Sequence, residues 1–448
     1  MPVSRSTANR PRQPDLLVEV AHLDDDGNGM APWGDNWVQV PASTVGDRAA
    51  VRITGRSRHR NVFWCEVVTW HHRGPDFRHP VCAHAEAGLC DGCPWMHLDP
   101  VAAAESKRGR VARLLGRSPE EIELFTGSDA LHWRNRSWFV ATVMAGKVRL
   151  GSYRRGSHEV APMTGCHVVR PAIAEVHAAL ESLLAAQRVR VSRTSEEAGL
   201  RYVQIRTGDD DGVLVELVFT DDASINTELL EATNALPRVS SVWVSTNRDP
   251  GNRLRGDAPR HVAGDRTLPV TVNGTVWQVG PETFFQLNGQ VVSELAARVG
   301  AWCAGHDVIW DLYAGVGVMS DAALQAGARV FAADVVKESE ALARSNERLS
   351  YATIDLSHEG VPQPWPNPDL VVVNPPRRGL DARVVETLLQ RQPEHVVYVS
   401  CNPETLARDL NLLVGWSVEQ VVAFDMMPQT PHVEVAVRLR REGSNVGQ

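Results

Sequence analysis

Residues 308–334, VIWDLYAGVGVMSDAALQAGARVFAAD, decide the fold. An apolar run, VIWDL, ends in a turn with glycines at 315 and 317. A helical stretch follows, and a second apolar run, RVFAAD, closes on an acid. Two continuously apolar strands joined through a helix make a βαβ unit of a parallel sheet covered on both faces. The alternation continues outward. DLVVVNPP, HVVYVSCNP and VEVAVRL read as strands, and ESEALARSNERL, ARVVETLLQR and PETLARDLNLL as helices. This predicts an α/β, doubly wound, Rossmann-like domain over residues 271–448.

In such a sheet ligands sit beyond the carboxyl ends of the strands. Gly315 and Gly317 allow a sharp turn and close backbone approach, and Asp334 stands where an acid accepts ribose hydroxyls. A dinucleotide site prefers GxGxxG, and the third glycine is absent. D-x-x-x-G-x-G with an acid on the second strand fits S-adenosylmethionine better.

Three polar clusters fall at strand ends: Asn374-Pro-Pro-Arg-Arg-Gly, Ser400-Cys401-Asn402-Pro403 and His432-Val433-Glu434. Cys401 precedes a helix, whose N-terminus is expected to favour the thiolate. Beside a methyl donor, a thiolate and a carboxylate suit methylation of a pyrimidine carbon. Uracil C5 is too weak a nucleophile to be methylated unaided; addition of a thiolate at C6 makes C5 enolate-like. The C5 proton then needs a base, for which Glu434 is the candidate. A duplex hides this face of the base, so the target must be flipped out or single-stranded.

Upstream, LLVEVAHL, WVQVP, TVGDRAAVRIT and NVFWCEVVTW read as short strands of a small β-barrel, residues 14–72, after a disordered tail, 1–13. Arg52, Arg56, Arg58, His59, Arg60 and Trp64 give it either a solvated loop or an RNA-contacting face. Residues 73–270 read as a β-rich central domain. It opens on Cys82, Cys90 and Cys93, and Cys166 can close a tetrad suited to zinc or an iron–sulfur cluster. Cys65 and Cys303 read as inert core thiols.

A chain of 448 residues exceeds one practical core, and 43% hydrophobic with 22% charged residues is ordinary for a globular protein. No run approaches a membrane span and no signal-peptide core opens the chain, so a cytoplasmic protein without membrane contact is expected. Seven cysteines do not make a disulfide framework. The formal charge of −8 argues against nucleic acid, yet it is uneven. Residues 1–160 carry 21 Lys and Arg against 18 Asp and Glu; the remainder carries 25 against 36.

Taken together, the chain resembles the TRAM-domain, iron–sulfur-containing RNA uracil-C5 methyltransferase family from about Leu16 to Arg440. The likeness is carried by VPASTVGDRAAVRI, CDGCPWMHL, WRNRSWF, SHEVAPMTGC, GPETFFQLN, DLYAGVG, NPPRRGL, VYVSCNPETLARDL and DMMPQTPHVEVAVRL. It implies a [4Fe–4S] cluster on Cys82, Cys90, Cys93 and Cys166, Cys401 as nucleophile and Glu434 as base. It places Gln286, Tyr313, Gly315, Gly317, Asp334, Asp355 and Asn374 around S-adenosylmethionine and the base, with Phe285 and His432 near the target. The implied partner is tRNA or rRNA, met as a monomer. Three positions depart from the family pattern: Asn374 replaces an Asp, Val318 a polar residue, and Met427 a Phe. RNA cytosine-C5 methylation and a non-catalytic RNA-binding or cluster-sensing homologue are the rival readings. Amino-group methylation would leave Cys401 and Glu434 unused.

Overall fold

The computed structural model describes residues 15–154, 157–192, 197–251, 253–335, 337 and 346–443. The expected tail, 1–13, and most of the expected helix at 338–349 lie outside the described residues.

Six short strands between Leu16 and His72 form the first sheet, in the order 16–19, 48–56, 62–72, 36–40, 29–33, 22–23. Its core is small, with Val18, Val38, Val40 and Val51 buried. A second, seven-stranded sheet runs 160–162, 147–153, 136–144, 200–207, 213–219, 239–246, 260–264. Helices Pro171–Ala186 and Thr227–Asn234 contribute Ile173, Leu180 and Leu229 to the core this sheet shares.

The third sheet carries the chemistry. Its order is 349–353, 329–334, 308–312, 370–373, 395–400, 434–441, 416–424, 122–125. The first five strands are parallel, and Glu434–Arg441 is antiparallel to both of its neighbours. Side chains alternate between two cores, as a period of two requires. Ile309, Val372 and Val397 pack with helix Gly289–Cys303 on one face. Trp310, Val371 and Val396 pack with helices Pro100–Leu115 and Ala382–Arg391 on the other. Burial on both faces explains why LVVV and the VVYV of HVVYVS carry no charged residue.

The edge strand differs from the sequence expectation. Ile122–Phe125 comes from the stretch read as central domain, yet it pairs in parallel with residues 421–424. Ile122 is buried beside Val111 and Ala112 of the preceding helix. Four residues are too few to show a period, so nothing in IELF signals where it docks.

Lys107 locks this arrangement. Its ammonium is buried, 2.5 Å from Asp425 Oδ1 and 3.1 Å from the Met427 carbonyl oxygen, and lies over the Trp95 ring. Removing one member of a buried ion pair leaves the other charge without compensation. Lys107→Ala is expected to cost about 3–5 kcal/mol, read as a lower urea midpoint. The double change Lys107→Met with Asp425→Leu should recover most of the loss; an unchanged midpoint in the single variant would show that the pair contributes nothing.

Candidate active site

The carboxyl ends of the parallel strands and the start of 434–441 face one corner. Register sets its centre: Ser400 pairs with Val435, and Glu434 pairs with Phe424. Cys401 therefore leaves its strand opposite Glu434. The next residue, Asn402, caps the helix Pro403–Leu410 through the Glu404 amide. Its Nδ2 donates to the Arg377 carbonyl oxygen at 3.1 Å, tying the Pro-Pro-Arg-Arg loop to the cysteine turn. Asp409, fully buried, accepts from the Leu380 amide at 2.7 Å and from the Tyr398 hydroxyl at 2.7 Å. Gly379 is obligatory: its φ is +87°, and a Cβ would fall 2.2 Å from Asp409 Oδ2.

The loop held in this way presents Arg377, whose positive charge beside the Cys401 thiol favours its ionised form. Sequence reading quoted Arg377 within NPPRRGL without giving it a role; two guanidiniums after a double proline were the available signal. The expectation that the helix N-terminus would favour a thiolate is corrected. Burial and the neighbouring Glu434 push the Cys401 thiol up, and Arg377 opposes them. Glu434 is 3% exposed, and burial raises its carboxyl from the ordinary 4.5 to about 7, with Arg377 again pulling down. One guanidinium thus serves two acids in a desolvated corner.

The nucleotide-type turn lies alongside. Gly315 and Gly317 have φ of +57° and +92°, and Tyr313 adopts +63°, an uncommon conformation for a tyrosine. The Tyr313 hydroxyl donates to Asp381 at 3.0 Å. Asp334 ends its strand and accepts from the Gly315 amide at 2.8 Å, so the acid and the glycine turn share one site. Asp355 lies two residues beyond the adjoining strand, and Ile354 donates to the Asp334 carbonyl oxygen. Gln286 lies just ahead of the helix Gly289–Cys303. The side chains of Gln286 and Asn374 have no hydrogen-bond partner among the described residues. Phe285 is core, 2% exposed against Trp277; its neighbour Phe284 stands out at 60%. His432 neighbours Arg377, Lys107 and Arg110, which together with burial lower its basicity.

Cys82, Cys90, Cys93 and Cys166 all line one cavity beside Arg134. Burial and the other thiols push Cys93 up to about 12. Among the described residues no three His, Cys, Asp or Glu side chains form a group that could hold a metal ion. The cavity is coupled to the reaction corner: Met427, Cys82, Cys93 and Cys166 all pack against the cluster of Met96, Trp133 and Val168, and the Trp95 amide donates to the Gln429 carbonyl oxygen. Cys303 is buried, whereas Cys65 is half-buried and donates to the Gln39 carbonyl oxygen.

This sheet order, with an acid facing a glycine turn at its carboxyl edge, defines an S-adenosylmethionine-dependent methyltransferase. Residues 366–442 match the family model described as tRNA (uracil-5-)-methyltransferase. An uncharacterised RNA methyltransferase of Geobacter sulfurreducens is 30% identical over 443 residues, covering 93% of this chain and 88% of its own. One from a Nostoc species is 28% identical over 454 residues, covering 95% and 96%. The crystal structure of the Pyrococcus abyssi tRNA (uracil-54, C5)-methyltransferase in complex with S-adenosyl-L-homocysteine superposes with a TM-score of 0.76 at 26% identity, covering 95% of this chain and 100% of that one. The chain belongs to the RNA (uracil-5-)-methyltransferase family.

Because the Glu434 carboxyl is raised in the folded state, the stability linked to its proton is fully present below about pH 4.5 and lost as pH rises through about 7. Glu434→Gln mimics the protonated form. It should raise the thermal midpoint at pH 8 and leave it nearly unchanged at pH 4.5. Equal effects at both pH values would mean the carboxyl is not held in the neutral form.

Proposed function

We propose that the protein methylates C5 of a uridine in tRNA or rRNA through a covalent bond between Cys401 and uracil C6. The observation that carries this reading is the convergence of Cys401, Glu434 and Arg377 beside the glycine turn. Bound S-adenosylmethionine supplies an electrophilic sulfonium methyl group to the C5 carbon. Cys401 adds as the thiolate to C6, and the C5–C6 π pair becomes an enolate delocalised onto O4. Arg377 favours the thiolate through its positive charge. Once C5 carries both methyl and hydrogen, Glu434 removes the proton, and the freed pair re-forms C5=C6 as the C6–S bond breaks. The order suits the electrostatics. A thiolate and a carboxylate side by side in a buried corner are costly, and adduct formation removes the first charge before the second is needed. Asn374, whose side chain has no hydrogen-bond partner among the described residues, would offer an oxygen to uracil N3–H.

Gln286, Tyr313, Gly315, Gly317, Asp334 and Asp355 would hold the cofactor around the turn. Among the described residues the four cysteines are not gathered as a ligand group, yet four thiols lining one cavity beside a cationic neighbour are the donor set a [4Fe–4S] cluster takes. Cys82, Cys90, Cys93 and Cys166 would ligate it, and its contribution would be structural, stiffening the surroundings of Met96, Trp133 and Val168, against which Met427 also packs. RNA would also meet the first sheet. There Trp33 and Trp64 are partly exposed, Trp33 lies edge-on to Phe63, and Arg56 lies over the Phe63 ring.

With unmodified tRNA and rRNA and methyl-labelled cofactor, nucleoside mass spectrometry should return 5-methyluridine; 5-methylcytidine or no product would overturn the reading. Cys401→Ala should abolish methylation while retaining S-adenosylhomocysteine binding. Arg377→Met should slow covalent adduct formation roughly 10²-fold, with the deficit shrinking as pH rises. Glu434→Gln should accumulate RNA adduct resolvable on a denaturing gel. Anaerobically purified protein should contain iron and acid-labile sulfide in equal amounts; zinc alone would replace the cluster assignment.

A further inference from the structure

The backbone of residues 280–283, at the start of GPETFFQLN, is held by three guanidiniums from the central sheet and its loops. Arg206 Nη1 donates to the carbonyl oxygens of Gly280, at 2.9 Å, and Thr283, at 2.8 Å. Arg136 Nη1 reaches the same Thr283 oxygen at 3.3 Å. Arg255 donates to the carbonyl oxygens of Pro281, at 2.5 Å, and Glu282, at 3.1 Å. Gln204 adds a second bond to Pro281. Four successive carbonyls are therefore capped by charged donors, which form the stronger class of hydrogen bond.

This arrangement is expensive and needs a reason. Arg206 is 1% exposed, and among the described residues no carboxylate lies within salt-bridge distance of Arg136, Arg206 or Arg255. Two Arg206 nitrogens, Nε and Nη2, have no hydrogen-bond partner among the described residues. Burial and mutual repulsion depress Arg206 to about 9 and Arg136 to about 10. Apolar side chains would close the same interface without that cost. Guanidiniums do what apolar groups cannot: they fix the direction of each carbonyl, and so the path of the backbone that follows.

That path leads to the site. Phe284, exposed, and Gln286 come next, and the Gln286 carbonyl oxygen accepts from Asn135 at 3.0 Å. Asn288 then caps the helix Gly289–Cys303. We propose that Arg136, Arg206 and Arg255 are positioning residues, a clamp by which the central sheet sets Gln286 and Phe284 against cofactor and RNA. The proposal rests on the reading of Gln286 as a cofactor contact. It makes cofactor affinity depend on side chains that touch neither cofactor nor reacting atoms.

Arg255→Met removes two caps at a half-buried position while keeping an apolar stem near Trp138, so folding should be retained. Its KM for S-adenosylmethionine and its Kd for S-adenosylhomocysteine should both rise about tenfold, with kcat at saturation within about twofold, because Cys401, Glu434 and Arg377 stand on other elements. Arg206→Lys should show the same split more weakly than Arg206→Met. Gln286→Ala is the control. If it leaves S-adenosylhomocysteine binding unchanged, the cofactor reading of Gln286 fails. If it weakens binding and Arg255→Met does not, the clamp fails. A fall in kcat with KM unchanged, or in folded fraction alone, would also overturn the clamp.

Discussion

The structure depends on one electrostatic compromise: two acids placed opposite each other across neighbouring strands, with the guanidinium of Arg377 acting on both. The pairing of Ser400 with Val435 leaves no freedom in this, because a slip of one residue would send Glu434 to the other face of the sheet. Burial makes the carboxyl a base of useful strength near neutral pH. The same burial makes the thiol harder to ionise, and Arg377 is the group that offsets it. Much of the surrounding hydrogen bonding serves to hold that arginine's loop. Asn402, Asp409 and Gly379 act on its backbone, and Tyr313 reaches the same loop through Asp381.

The catalytic fold was legible because its strands are buried on both faces, which writes them as uninterrupted apolar runs ending in polar turns. LVVV-Asn374 and HVVYVS-Cys401 show the strand and the ligand-facing end in one reading. The edge strand at 122–125 was not legible. Its place is set by Ile122 entering, with Val111 and Ala112, a core whose other buried residues all come from 310–439, and no local pattern encodes such a partner. The central sheet was read as β-rich without an order, since the pairing that joins its two halves, 136–144 with 200–207, spans about 60 residues of intervening chain.

The site was legible in its ends and not in its middle. Cys401 and Glu434 were reached from chemistry, because each sits alone among polar residues at a strand terminus. Arg377 acts through a contact with a residue 24 positions away, and an arginine beside another arginine in a loop reads as solvated surface. The direction in which Cys401 is shifted was misjudged for a related reason: a helix N-terminus is visible in sequence, whereas desolvation and a neighbouring carboxyl belong to the assembled corner. In the FFQ step, two adjacent phenylalanines face opposite ways, and only packing against Trp277 shows which is core.

The strand at 122–125 has a consequence in time. Its partner, residues 421–424, is synthesised about 300 residues later, roughly 15–60 s at ordinary elongation rates. Throughout that interval the helix before it lacks the acid that neutralises Lys107, and the strand keeps an unpaired edge. Glu434–Arg441, the last of this sheet's strands in chain order, is inserted between two strands already made and brings the base with it. Closing the sheet and completing the reaction centre are thus a single event, so a nascent chain has no partly competent form.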